Sequence, residues 1–381
     1  MQIVARYRMW GVPGSPEKTG VLLARLQAGA PPAPGGAEVQ AVAVEGDTVV
    51  ASIAYPLAWV EPRVTSLLIM TMSEVGHLPV RLEALELPEA FARKFPGPKL
   101  GVEGLRQRLG VWGRPLVMGI LKGCLGWELK AVAQRFAELA RGGCDLIKDD
   151  EVMADEPPGT VLRRLEACHS AAEQVCRETG RTVLYCSNLT GPPSTLLERA
   201  HQMVQEGAGG FFFNVVLYGY GLLQDLAADE AIDVPLVLHP GFLSLLSRGE
   251  RSGIAPALLV GTLSRLAGGD VVIFPGPRGS FPWPQETGAA IHGALQQTAV
   301  HRRAWSAPAG GLRASMLPEL LVVYGHDLVV NAGTAISTHP DGPQAGAQAL
   351  AVATAVLAAG GALADAAQQH PVLRRALEDG G

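Results

Sequence analysis

The chain predicts an N-terminal α+β domain of ferredoxin-like type over residues 1–112, followed by a (β/α)8 barrel over residues 113–381. Three observations lead to this reading. From Pro115 onward, short apolar runs alternate with helical stretches and make eight strand–helix units in about 260 residues, the length such a barrel needs. Most of those apolar runs close on a polar residue, as barrel strands that open on an active site do. The first 112 residues lack this rhythm and mix alternating strands with helix. A doubly wound open sheet is the structural alternative, but no Gly-x-Gly-x-x-Gly follows a first strand to support it.

Taken in order, Ile3 to Met9 alternates like a strand and Glu17 to Leu26 is helical. The Pro/Gly-rich patch Ala30 to Gly36 is a surface loop. Val39 to Val44 and Val49 to Pro56 are strands around the Gly46-Asp47 turn, and the apolar run Thr65 to Met72 reads as a further strand. Pro96 to Gly101 is the exit into the second unit. The barrel strands are then Pro115 to Leu121, Cys144 to Lys148, Thr182 to Ser187, Gly210 to Val215, Pro235 to Leu238, Asp270 to Pro275, Ala304 to Pro308 and Asp327 to Asn331. Between them lie helices such as Leu129 to Arg141, Val161 to Thr179, Thr195 to Gln205 and Ala255 to Leu266. The Ala-rich run Ala345 to Ala367, broken by Gly360-Gly361, forms surface or packing helices.

Composition narrows the function classes. The chain has 31 basic and 36 acidic residues, a formal charge of −5 and no basic block, so it has no electrostatic footprint for nucleic acid. Hydrophobic residues make up 48% and charged residues 18%, which fits a well-buried globular protein. No apolar stretch approaches the roughly 20 residues a membrane helix requires. The five cysteines, Cys124, Cys144, Cys168, Cys176 and Cys186, are odd in number and lack zinc-ligand spacing, and no signal core opens the chain. A reducing cytosol is the expected location.

In a barrel the strand-end polar residues must converge on one face. Here they are Lys122, then Lys148, Asp150 and Glu151, then Asn188, Asn214, His239, Arg278, Gly310-Gly311 with Arg313, and Asn331 to Thr334. The densest group is Gly142-Gly143-Cys144-Asp145-Leu146-Ile147-Lys148-Asp149-Asp150-Glu151, a buried-strand pattern running into a lysine and three carboxylates. Strand alternation sends Lys148 and Asp150 one way and Asp149 the other. Oxygens of Asp150 and Glu151 can reach one hard cation, for which Mg²⁺ is the natural choice. Lys148 as an ammonium cannot ligate; it either pairs with a carboxylate at the strand end or reacts with CO₂ to become a carbamate. Lys122 has the same two readings, a base or an ion pair with Asp149 or Glu151. His169, His201 and His326 are read as structural or solvated, and Trp127, Trp283 and Trp305 as packing.

Gly-Gly-x-Asp-x-x-Lys-Asp-Asp-Glu resembles the activation motif of ribulose-bisphosphate carboxylase/oxygenase (RuBisCO) and its RuBisCO-like relatives. Further similar pieces follow the family in order and spacing: Tyr55-Pro56-Leu57, Ser73-Glu74-Val75-Gly76-His77, Phe95-Pro96-Gly97-Pro98, Gly113-Arg114-Pro115-Leu116 and Gly119-Ile120-Leu121-Lys122-Gly123-Cys124-Leu125-Gly126. The resemblance implies a carbamylated Lys148 that binds Mg²⁺ together with Asp150 and Glu151. It implies that Lys122 handles the proton in enolisation, and it matches His239-Pro240-Gly241-Phe242 to the family's strand-five histidine. Asn188 and Asn214 have two readings: each can orient carbamate or substrate oxygens, or equally cap a loop. It also implies a homodimer, with His77 reaching the partner's barrel.

The chain departs from the carboxylases where their second phosphate and CO₂ are handled. Cys124 replaces the second strand-one lysine, Pro240 an arginine, and Ala309-Gly310-Gly311 a Ser-Gly-Gly. Pro275-Gly276-Pro277-Arg278-Gly279-Ser280-Phe281 replaces a lid with Gly-Lys-x-Glu-Gly, and Gly76-His77 a Gly-Asn pair. No Glu-x-Ser-x-Gly-Thr-Trp equivalent occurs near Ala24 to Gly29. What remains is the machinery for removing a proton beside a carbonyl polarised by a divalent cation. The expected function is therefore a RuBisCO-like, Mg-dependent enolase or isomerase acting on a ketose phosphate or related sugar-derived keto compound, with Lys122 or His77 as base. Gly310, Gly311, Gly333 and Thr334, helped by Arg278 or Arg313, would hold a phosphate. Decarboxylation of a β-keto sugar acid, and non-catalytic ligand binding on the same scaffold, are the alternatives.

Overall fold

A computed structural model describes the chain except residues 12–17, 22, 25–35, 76–77, 156, 158, 248, 279–281 and 379–381. Within the first unit, β1 (Gln2–Trp10), β2 (Glu38–Glu45), β3 (Thr48–Pro56) and β4 (Val80–Glu86) form an antiparallel sheet in the order β4-β1-β3-β2. This is the ferredoxin-like order, extended at one edge by β10 (Gly253–Ile254), which pairs parallel to β4. Alternation in β1 buries Ile3, Ala5, Tyr7 and Met9 on one face, and Tyr7 and Tyr55 share a buried hydrogen bond at 2.9 Å. Of the helix expected over Glu17 to Leu26, residues 18–21 and 23–24 are described and are helical, while the loop Ala30 to Gly36 lies outside the described residues except for Gly36.

One expected strand is a helix. The run Thr65 to Met72 falls within the helix Val64–Met72, which buries Val64, Leu67 and Thr71 and leaves Ile69 exposed. A short continuous apolar run does not reveal its period, and here the i, i+3, i+7 spacing of the buried residues is helical. The sheet strand is instead β4, whose sequence Val-Arg-Leu-Glu-Ala alternates inward and outward.

The second unit is a parallel barrel of β5 (Leu116–Leu121), β6 (Leu146–Asp149), β7 (Leu184–Asn188), β8 (Gly210–Asn214), β9 (Leu236–His239), β11 (Val271–Pro275), β12 (Trp305–Ala309) and β13 (Val329–Asn331). Adjacent strands pair from β5 round to β12, β13 pairs β5, and a bridge between Ser306 and Leu328 closes the ring. Each expected strand occurs within two residues of its expected bounds. The expected helix over Ala255 to Leu266 is a π-helical segment, Ala257–Leu263, running into Ser264–Ala267.

Alternation sorts the barrel side chains into two sets. Val117, Ile147, Tyr185, Phe211, Leu238 and Val272 pack outward under the helices. Leu116, Met118, Leu146, Leu184, Cys186, Phe212, Val237, Ile273 and Trp305 fill the interior. The helix Gly101–Leu109 plugs the floor through Val102, Leu105 and Leu109, and its Arg106 guanidinium lies 4.6 Å from the Trp305 ring centre. Buried Asp270 fastens that helix by accepting N–H bonds from Leu100, Gly101 and Leu236 at 2.7, 2.7 and 2.8 Å.

Register around the ring decides which side chains share a level. Lys148 pairs with Cys186, and Cys186 with Gly210; two residues up that strand is Phe212, which pairs with Val237, itself paired with Val271. Two residues beyond is Ile273, opposite Ala307, and the Ser306–Leu328 bridge carries the level to Val329 and then to Asn331. Asn331 pairs with Met118, which meets Leu146, two residues short of Lys148. Lys148, Phe212, Ile273 and Asn331 therefore form one interior layer contributed by alternate strands, the uppermost before the mouth.

Candidate active site

The mouth holds a cavity of about 590 Å³, lined by Lys122 and Ile120 from β5, Lys148 and Glu151 from β6, and His239 to Ser244 beyond β9. Ile273, Phe274 and Trp283 form another wall, and Gly310, Gly311, Asn331, Gly333 and Thr334 the far side. At its base Lys148 is almost wholly buried, its Nζ donating to the Asp149 carbonyl at 3.0 Å and lying 3.9 Å from the Phe212 ring centre. Burial drives its pKa down to about 8, against the pull of Glu151, Asp150 and Asp149. That leaves a minority of about a tenth of the amine neutral at pH 7, far more than an ordinary lysine has.

The acidic turn after β6 is rigidly held. Asp149 points away from Lys148, as alternation requires, and is enclosed. Its carboxylate accepts from Arg164 at 2.9 to 3.2 Å, from the Tyr185 hydroxyl at 2.6 Å and from the Asn188 backbone N–H at 2.9 Å. Asn188 is buried behind the turn, its Nδ2 donating to the Asp150 and Glu151 carbonyls at 3.4 and 3.2 Å. With the backbone fixed from behind, Asp150 pairs with Lys122 Nζ at 3.2 Å. Burial opposes ionisation of Asp150, but hydrogen bonding to Glu151 and the Lys122 charge outweigh it and hold its pKa below the usual value. The ion-pair reading of Lys122 thus has a partner, Asp150 in place of Asp149 or Glu151.

His239 stands 3.8 Å by Nε2 from Glu151, and its Nδ1 accepts from the Gly241 backbone N–H at 3.1 Å. That bond uses the Nδ1 lone pair and leaves the proton on Nε2, facing the cavity. Burial, with Lys148 and Lys122 nearby, depresses its pKa to about 3. His239 is therefore a neutral hydrogen-bond donor across the physiological range. Phe242, beyond it, takes φ +64°, a strained setting for a side chain of this size.

Other expected residues fall in different places. Asn214 caps the helix Val215–Ala228 by accepting from the Leu217 N–H at 3.3 Å and does not line the cavity. Arg278 turns away to Glu319 at 2.7 Å, both side chains more than half exposed. Arg313 is exposed and likewise absent from the lining. His77 lies outside the described residues. Gly310 and Gly311 adopt φ of +95° and +96°, which only glycine takes without strain. A Cβ on Gly333 would come within 2.6 Å of Ile120. His169 and His201 pair with Glu173 and Asp229 away from the mouth. Sequence reasoning missed Arg164 and Tyr185, which build the turn; the one available signal was that Asp149 must face away from Lys148 and so needs a partner.

Among the described residues no three His, Cys, Asp or Glu side chains are placed to hold a metal. Asp150 and Glu151 offer two carboxylates to a hard cation, one fewer anionic ligand than such a site would gain if the Lys148 amine became a carbamate. The donor set would fit a hard cation on that condition.

An α+β domain joined to a barrel, with a buried lysine and a carboxylate turn at the strand ends, defines an enzyme of the enolising or carboxylating kind. The profile of the ribulose bisphosphate carboxylase large chain catalytic domain matches residues 101–276 and 296–379. The 2,3-diketo-5-methylthiopentyl-1-phosphate enolase of Microcystis aeruginosa is 37% identical over 348 residues, 91% of this chain and 88% of that protein. The enzyme of the same description from Geobacillus thermodenitrificans is 38% identical over 331 residues, covering 86% and 80%. A RuBisCO-like protein from Alicyclobacillus acidocaldarius superimposes with a TM-score of 0.93 at 37% identity over the full length of both chains. The octameric RuBisCO of Pyrococcus horikoshii does so at 0.93 and 28% identity, covering 99% and 94%. The chain belongs to the RuBisCO large-chain family, in its enolase branch rather than among the carboxylases.

Proposed function

We propose that this enzyme enolises 2,3-diketo-5-methylthiopentyl-1-phosphate or a diketo alkyl phosphate of the same form, with Lys122 as the base. The observation that carries the reading is the convergence of the Lys122 amine with Lys148 and the Asp150–Glu151 turn at one cavity. Cys124 supports it too. Its buried thiol, raised in pKa by burial, occupies the position of the carboxylases' second ammonium. A thiol in that position cannot charge-stabilise a carboxylated intermediate as an ammonium would.

Lys148 as a carbamate, with Asp150 and Glu151, would hold Mg²⁺. When bound, the ion withdraws electron density from a substrate carbonyl and makes the neighbouring C–H more acidic. Carbamate formation joins the neutral Lys148 nitrogen to CO₂ and releases one proton, which the depressed pKa favours. Asp149, Arg164, Tyr185 and Asn188 hold the turn so that the carboxylates need little reorganisation. With the Asp150 carboxylate turned to a cation, the Lys122 amine would be released from its 3.2 Å ion pair to face the substrate. His239 presents Nε2–H to a substrate oxygen. Gly310, Gly311, Gly333 and Thr334 line the side on which a phosphate would sit, the position after strands seven and eight where barrels bind one.

The protein would act as a cytosolic homodimer. Leu125, Val152, Leu217, Phe242 and Leu245 are exposed on the segments that follow β5, β6, β8 and β9, and a second subunit closing over this mouth would bury them.

The test is solvent-deuterium exchange into the diketo phosphate, followed by NMR at the carbon next to the phosphate ester and at the carbon beyond the second carbonyl. Exchange requiring both Mg²⁺ and bicarbonate, and abolished by Lys122→Ala, is expected. Exchange at the full rate in Lys122→Ala would remove that lysine from the role.

A further inference from the structure

Asn331 is 5% exposed, lines the cavity and forms no side-chain hydrogen bond, its Oδ1 buried without a partner. Buried carboxamides are nearly always satisfied, and an unsatisfied one is costly unless something else supplies the partner. Nothing in the packing of β13 requires an amide here, because the neighbouring interior residues on its own and flanking strands, Val329, Met118 and Ala307, are apolar. Register places Asn331 in the same layer as Lys148, with only β5 between their strands, and two residues below the Gly333-Thr334 turn. It therefore lies deeper than the glycines at the expected phosphate position and next to the cation-type centre.

Building on the proposed enolisation, we infer that Asn331 is a catalytic residue: its carboxamide is unpaired in the protein, its N and O ends exchange places on a half-turn, and in the orientation that aims Nδ2–H into the cavity it donates to the substrate carbonyl oxygen on which charge develops. A 1-phosphate ester with an adjacent carbonyl, seated with its phosphate at Gly310-Gly311 and Gly333-Thr334, places that carbonyl between the phosphate and Lys148. The layer register puts Asn331 at this depth. In the step the C–H bonding pair becomes the C=C bond, the carbonyl π pair moves onto oxygen, and the proton passes to Lys122. Atoms and electrons balance without a co-reactant. A donor that is unpaired beforehand has no hydrogen bond to break when charge reaches the oxygen, so its contribution grows toward the transition state.

The test compares the parent with Asn331→Leu, which conserves volume, and Asn331→Ala, in deuterium exchange with the diketo phosphate. The expected result is a fall in kcat of about a hundredfold or more with KM little changed. Unchanged kcat, or a raised KM alone, overturns the assignment, the latter placing the amide on the phosphate instead. A readout free of turnover uses an analogue bearing two methyl groups on each carbon flanking the diketone, which cannot enolise. Its carbonyl stretch should move to lower frequency on binding the parent and move less on binding Asn331→Leu; equal shifts overturn the assignment even if the variants lose stability. A parent that binds the analogue with the shift yet does not exchange the diketo phosphate would sink the proposed reaction while leaving Asn331 as a carbonyl-binding group.

Discussion

Lys148→Met should stabilise this protein in the absence of CO₂. The amine is buried at the barrel's top layer, and its pKa falls from the ordinary 10.5 to about 8 because burial disfavours the ammonium. At about 1.4 kcal/mol per pH unit, that displacement is a cost of about 3 kcal/mol whenever the group is protonated in both folded and unfolded chains. Methionine fills similar volume without the charge, so the variant should gain up to about that amount at pH 7. Between pH 8 and 10.5 the folded chain releases the proton while the unfolded chain keeps it, so parental stability rises with pH. The advantage of the variant should shrink across this window and vanish above it. Urea unfolding in CO₂-free buffers from pH 7 to 10.5 reads the difference directly. A variant less stable than the parent at pH 7, or a difference that stays constant across the window, would refute the argument. Bicarbonate with Mg²⁺ should then raise the stability of the parent and leave Lys148→Met unmoved.

Further outcomes follow from the same geometry. Arg164→Met strips Asp149 of its buried charge partner and leaves only Tyr185 and the Asn188 N–H, so unfolding free energy should fall by about 3 kcal/mol, measured by urea denaturation. Asp270→Ala removes the acceptor for three backbone N–H groups that tie the floor helix to the barrel, again a loss of about 3 kcal/mol or more. His239 stays neutral down to about pH 3 in the folded chain, so the pH profile of kcat/KM should show no limb near 6.5 from this residue, and His239→Asn should lower the rate without changing the profile's shape. Because its folded pKa is depressed, His239 should add stability that is present above pH 6.5 and lost progressively as pH falls toward 3, an effect absent from the His239→Asn variant.

The barrel was legible because its strands are short apolar runs, most of them closing on a polar residue, and that pattern survives any details of packing. The Lys148 turn was legible as well, since strand alternation alone separates Asp149 from Lys148 and Asp150. Val64–Met72 was not, because a continuous apolar run hides its period until a partner surface selects one face. Arg164 reaches Asp149 from a helix fifteen residues on, and Tyr185 from the next strand; no local spacing encodes such a meeting. Asn214 and Arg278 sit at strand ends as expected, but the helix cap and Glu319 claim them, and competition among nearby partners is settled only in three dimensions. What the sequence determined by itself is local: period, alternation and the kinds of group at each strand end. The tertiary structure decided which of those groups share a level in the barrel and which are left unpaired within it. A shear accumulated over eight strands brings Asn331 beside Lys148, although 183 residues separate them in the chain.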